Sequence, residues 1–287
     1  MRRAAAFALL LLFAFTVGCG KRKGNPSAPT HFHRVVSLSP STTEAMFAIG
    51  AGDTLVGRSR YCDFPAEAAK LPQVGGYVDP NLEAILGLAP DLVIGARGPL
   101  GTQVTDALDQ RGIRWFFPKT ESFDEIRTML RALGEQTGHK DSAEQLVTQI
   151  DQSLRTTHDL IAQRVHPRVL LVFGLEPIVV AGPTGFTNEL LTAGGAVNAV
   201  SAGDAYPTLG MEKVLALDPD VVLNAVMSEA HAATRIATGA PGWGELRAVK
   251  EGRVRYLTDE SILRPGPRVA EAARTIAHSL FDDIPAK

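Results

Sequence analysis

A thirteen-residue stretch occurs twice in this chain, and it limits the fold more than any other feature. The first copy runs from Leu82 to Ile94 (LEAILGLAPDLVI) and the second from Met211 to Leu223 (MEKVLALDPDVVL), with six of thirteen positions identical. Each copy reads as a short amphipathic helix, a Pro-Asp turn and a continuous apolar run. Such a run suits a strand buried on both faces of a parallel sheet. Asp79, followed by Pro80, and Thr208 are the expected N-caps, four positions before Glu83 and Glu212. A capping box would need the glutamate one residue earlier, so neither carboxylate is committed to the cap. One acidic residue in a first helical turn complements the helix dipole and needs no further role. Two at equivalent places, 129 residues apart, point to a paired role.

A chain of 287 residues can hold two lobes built on this repeated plan. In chain order, strands are expected at Val35–Leu38, Thr54–Gly57, Leu92–Gly95 and Arg114–Phe117. Helices lie between them, the first opened by Ser41 and Glu44 at capping-box spacing. A helix opened by Ser122 and Glu125 stops near Gly138. Residues 141–163 lack glycine and proline and place Leu146, Val147, Ile150, Leu154 and Ile161 on one face. They predict a helical spine about 35 Å long. The second half restarts with a strand at Val169–Phe173, a helix ending at Gly194-Gly195 and the second copy of the repeat. Shorter helices at 232–239 and 244–249, a strand at Val254–Leu257 and a helix at Val269–Phe281 follow. The expected fold class is α/β: two pseudo-equivalent lobes joined by one long helix.

The amino end reads as an export signal. Arg2 and Arg3 precede an apolar run from Ala4 to Val17, which is short for a bilayer span and ends in Gly18-Cys19. That ending resembles a bacterial lipobox with Cys19 as the lipidated residue, with Thr16 departing from the usual leucine. The expected organisation is a signal peptide at 1–18, a tether at 19–33, an N-terminal lobe at 34–138, a linker helix at 139–165 and a C-terminal lobe at 166–287. With Cys19 acylated, Cys62 has no partner for a disulfide. The charge is near neutral (formally −2) and basic residues are scattered, so no nucleic-acid partner is expected. No nucleophile elbow, His-Glu-x-x-His, Cys-x-x-Cys, Walker loop or Gly-x-Gly-x-x-Gly turn is present, although an acid-base pair among the many carboxylates stays open.

Five segments in order are similar to the vitamin B12 and iron-siderophore class of substrate-binding proteins that serve ABC importers. They are VSLSPSTTE (36–44), YCDFP (61–65), NLE (81–83), PDLV (90–93) and RPGPR (264–268). The resemblance spans about residues 34–283 and is strongest to the cobalamin-binding members. It implies ligand held in a cleft between the lobes by Tyr61, Tyr77, Tyr206, Glu260 and Arg264, with Arg97 and Phe186 flanking it. A corrin, apolar with an amide rim, suits aromatic faces with polar tips. The resemblance further implies docking of Glu83 and Glu212 to an ABC permease dimer, and a monomer lipid-anchored on the periplasmic or cell-surface side. No resident cofactor or metal is implied; cobalt enters only within a bound corrinoid. Ala96, Tyr77 and Tyr206 stand where the best-known cobalamin binder has tryptophans, which leaves the particular corrinoid open. A ferric siderophore or haem is the alternative cargo, with Tyr61 and Arg264 as contacts. Zinc or manganese cargo fits poorly, because the seven histidines are dispersed. Cys62 is expected to be a quiet thiol.

Overall fold

Two parallel αβ units, built on the same plan, carry the architecture. The structure is a computed structural model that describes residues 31–97, 102–226 and 236–285. The signal peptide, most of the tether and Cys19 therefore lie outside the described residues, as do residues 232–235 of one expected helix; 236–239 are not helical. The first half contains β1 (Val35–Ser37), α1 (Pro40–Ala48), β2 (Leu55–Arg58), α2 (Leu82–Gly87), β3 (Leu92–Ile94), α3 (Thr102–Asp109) and β4 (Arg114–Phe116). Then come α4 (Phe123–Thr137) and the spine, α5 (Lys140–Ile161). The second half contains β5 (Arg168–Leu175), β6 (Ile178–Val180), α6 (Phe186–Ala193), β7 (Val197–Asn198), β8 (Thr208–Leu209), α7 (Met211–Leu217), β9 (Val221–Asn224), α8 (Arg247–Lys250), β10 (Val254–Tyr256) and α9 (Val269–Leu280).

The first sheet has the order β2-β1-β3-β4, all parallel. The second repeats that order as β7-β5-β9-β10, again parallel. Even the register is shared: Val36 faces Val93 in one sheet and Leu170 faces Val222 in the other. The second sheet adds an antiparallel extension, β6 and β8, on the β5 edge. Sequence alone did not predict these short strands.

The repeat closes the same way twice. Ala89 and Asp218, at equivalent places after α2 and α7, are the two non-glycine residues with positive φ among the described residues (46° and 37°). Asp91 accepts the backbone N–H of Arg34 at 3.0 Å, and Asp220 accepts that of Arg168 at 2.9 Å. Each of these arginines then donates to a carbonyl at the turn, Arg34 to Ala89 and Arg168 to Asp218. The helix carbonyls left without partners are thereby satisfied by a cation. With Arg247 added at 2.9 Å, the Asp220 carboxyl is held below its usual range, chiefly by the Arg168 N–H.

Three local expectations are corrected. Asn81, not Asp79, caps α2, its side chain accepting from the Ala84 N–H; Asp79 is engaged by Arg60. Gly210, not Thr208, precedes α7, because Thr208 pairs in β8 with Val179. Both glutamates therefore occupy the second helical position. The Ser41/Glu44 capping box does not form either: Ser39 is the cap and Pro40 the first helical residue. Proline loses nothing there, since that N–H has no helical partner. Glu44 turns instead toward two arginines.

The spine matches its predicted face, with Val147, Ile150 and Ile161 buried. Its 22 residues span about 33 Å. Arg127 of α4 reaches Asp151 of α5 at 2.6 Å, and α4 ends on Gly138 at φ 79°, a left-handed stop suited to glycine. Apolar residues of both sheets, Val35 and Leu92 with Val169 and Leu171, share one continuous core with Val147 and Ile150. The halves thus rest on common packing, not on a loose linker.

Candidate functional site

Parallel strands deliver their following loops to one end of a sheet, which is where α/β proteins bind ligands. In the first half that end carries Ser39, Ala96, Arg97, the loop from Arg58 to Pro80, and residues 117–122. In the second it carries Leu175, Asn224 and the loop opened by Asp259.

Two sets of contacts bring these ends together. At one side the Phe123 N–H donates to Glu189 Oε2 at 2.7 Å, and the Phe123 and Phe186 rings lie 6.3 Å apart. At the other, Arg264 and Arg268 reach back across the chain to Glu44. Arg264 Nη1 lies 3.0 Å from Glu44 Oε1, and Arg268 Nε lies 2.8 Å from Glu44 Oε2. The Glu44 side chain is only 2% exposed, and Arg268 also lies over the Phe64 ring at 4.1 Å. A carboxylate so buried requires such partners.

The expected ligand residues sit on these and neighbouring loops. Tyr61 is half exposed, with the Arg60 guanidinium 5.6 Å from its ring. Tyr206 is half exposed and meets Phe173 edge-on at 5.7 Å. Tyr77 is partly buried. Both the Tyr77 and Tyr206 phenols are pushed up, first by burial and then by the negative charge of Glu121. Glu121 follows β4, yet a methyl group on Gly185 of the second half would lie 3.2 Å from its Oε2. Glu121, which sequence reasoning missed, thus bears electrostatically on one tyrosine from each half.

Arg264 and Glu260 are ion-paired, and Arg264 also meets Asp63 at 2.9 Å. The Arg264 side chain is 11% exposed, so here it ties the halves together. Arg97 is exposed, whereas Phe186 is buried: its flanking role is replaced by packing in the shared core. Cys62 is buried and its thiol is pushed up by that burial, away from reactive thiolate chemistry. Arg58, also missed, organises the Tyr61 loop by donating to the carbonyls of Ser59, Arg60 and Ala69. Phe173 was missed because its strand pattern reads as core.

Glu83 and Glu212 are both exposed. The Asn81 N–H donates to Val74, whose own N–H donates to Arg58 at the exit of β2. In the second half, Leu209 pairs with Ile178, which pairs with Leu175 at the exit of β5. The amino ends of α2 and α7 thus sit at the strand exits, as the cleft loops do. A cavity of about 470 Å³ lies elsewhere, between α5 and α9, lined by Ser153, Thr157, Glu271 and Arg274 among others; it contains none of the expected ligand residues. Among the described residues, no group of three or more His, Cys, Asp or Glu is arranged to hold a metal ion.

This geometry has known counterparts. Residues 35–261 match the family described as periplasmic binding protein. The chain belongs to that family. The binding protein is 34% identical over 191 residues to the vitamin B12-binding protein of Yersinia pseudotuberculosis, covering 66% of this chain and 68% of the relative. It is similar to the crystal structure of the periplasmic vitamin B12 binding protein of Vibrio cholerae, with a TM-score of 0.75, 28% identity and coverage of 87% of this chain and 96% of that one. A periplasmic heme binding protein from Pseudomonas aeruginosa superposes with a TM-score of 0.80 at 28% identity, covering 88% and 94%. These relatives are named for binding, not for catalysis, and the family is extracytoplasmic. Among the described residues of the binding protein, no helix is long and apolar enough to cross a membrane.

Proposed function

We propose that this protein captures a corrinoid of the vitamin B12 type between its lobes and delivers it to an ABC importer. The observation that carries the reading is the 34% identity to a vitamin B12-binding protein across two thirds of both chains. Tyr61, Tyr77 and Tyr206 support it, since ring faces with hydroxyl tips match an apolar macrocycle with an amide rim. Glu260 and Arg264 fix the edge of that site. Cobalt arrives inside the corrinoid, and the protein contributes no cofactor of its own. Glu83 and Glu212, exposed at the strand exits of the two halves, are the docking points for a permease dimer; charge-assisted contacts at two separated points fix orientation. Lipidated Cys19 tethers the monomer to the membrane.

Titration with cyanocobalamin, read by heat or by protein fluorescence, tests the cargo. Binding tighter than about 1 μM, about −8 kcal/mol, is expected; weaker binding overturns the assignment. The second reading, haem, is favoured by the Pseudomonas aeruginosa superposition and by the exposed Tyr61, whose phenol can ligate iron. Haem titration of the wild type and of Tyr61→Phe decides between them. For docking, the Glu83→Lys/Glu212→Lys variant abolishes uptake and retains ligand affinity; normal uptake refutes the docking role.

A further inference from the structure

Glu121 stands outside every role given so far. It lies between β4 and the Ser122 cap of α4, exposed, and its backbone N–H donates to Glu125 Oε2 at 2.8 Å. Its own carboxylate crosses to the second half, beside Gly185, whose added methyl would also lie 3.1 Å from Ala205 Cβ, next to Tyr206 in the chain. Neighbouring polar groups at this junction are also acidic: Glu125 and Glu189 turn their carboxylates onto the backbone N–H groups of Glu121 and Phe123. The arginines elsewhere in the cleft are already engaged, Arg60 by Asp79 and Arg264 by Glu44, Asp63 and Glu260. Arg97 and Lys119 are exposed on the loops that approach from the first half, where the Arg97 N–H donates to Pro118.

We propose that Glu121 is a specificity-determining residue of the cleft, favouring ligands whose rim carries neutral amide N–H groups and disfavouring those whose rim carries carboxylates. This rests on the corrinoid reading and deepens it. A carboxylate accepts hydrogen bonds from primary amides and repels another carboxylate at the same distance. Discrimination of this kind needs the repulsive element as well as the attractive one. Tyr77 and Tyr206, one from each half, feel the same charge, which agrees with the place of Glu121 beside Gly185 at the junction of the halves.

The test compares the wild type with Glu121→Gln, which keeps the shape and an acceptor oxygen while removing the charge. Affinity is measured for cyanocobalamin, for cobyrinic acid, whose rim is carboxylated, and for haem, whose propionates are anionic. The wild type is expected to prefer the amide rim over the carboxylate rim. Glu121→Gln narrows that preference by about tenfold, about 1.4 kcal/mol, by tightening the carboxylated ligand. Haem binding tightens in the same direction. A preference unchanged within twofold overturns the proposal. Should no corrinoid bind the wild type, the corrinoid reading fails by itself, and the haem arm still decides the role of Glu121. Ultraviolet titration of tyrosine, which needs no ligand, reports whether the charge stands where stated: two phenols should ionise at lower pH in Glu121→Gln. Superposable titrations also overturn the proposal.

Discussion

Replacing Glu44 with glutamine removes the charge that holds Arg264 and Arg268 against the first half, with little change in shape. The carboxylate is almost wholly buried and receives contacts from both guanidiniums, at 3.0 Å from Arg264 and 2.8 Å from Arg268. Removing one member of a buried ion pair costs about 3–5 kcal/mol, because the remaining charges are left desolvated and unpaired. Here Arg264 retains Asp63 and Glu260, and Arg268 retains Asp259 at 3.5 Å and the Phe64 ring. Those partners put the loss at the lower end, about 3 kcal/mol. For a unit of this size, that lowers Tm by about 6–12 °C. Urea unfolding of Glu44→Gln, Arg268→Met and the double variant measures both the loss and its source. A coupling of about 2 kcal/mol between the two sites is expected for groups in direct contact. A single-variant loss under about 1 kcal/mol, or a coupling near zero, would refute the reasoning and make this network an ordinary surface feature.

The repeated turn gives a pH-dependent prediction. Asp220 has its carboxyl lowered by the Arg168 N–H and then by Arg247, so its stabilisation is full above the ordinary carboxylate range and is lost as pH falls through the lowered value. Asp220→Asn should therefore cost about 1 kcal/mol at pH 7, discounted for an exposed partner, and the gap from wild type should close below about pH 4. A gap that does not narrow at all between about pH 4 and pH 2 would count against the assignment. Cys62, buried with its thiol pushed up by burial, should react with a disulfide reagent at pH 8 about a hundredfold more slowly in the folded protein than in urea. Comparable rates would place the thiol at the surface.

Much of the fold was legible because its signals are local. A helix face repeats every three to four residues, and a buried parallel strand is an unbroken apolar run. The spine, the Ser122 cap and the Gly138 stop are each written within a few residues of chain, and each was found there. The duplicated segment went further: two matching copies predicted matching strands, and β3 and β9 share their register with β1 and β5. Helix starts were less legible. Asp79, Asn81, Thr208, Ser39 and Ser41 are all competent caps in isolation, and the choice among them depended on what else each could bond.

The sequence by itself determined the α/β class, the two-lobed repeat, the spine and the aromatic residues at the strand exits. Tertiary structure decided what their charges do. Glu44 looked like a helix cap and became the anchor for two arginines at least 220 residues away. Arg264 looked like a free ligand contact and is largely engaged between the halves. Glu121 carried no motif at all, yet reaches Gly185 across the junction. Charge pairing acts through space, over a few ångströms and with no fixed separation along the chain, so no spacing rule reveals it until the backbone has brought the partners together.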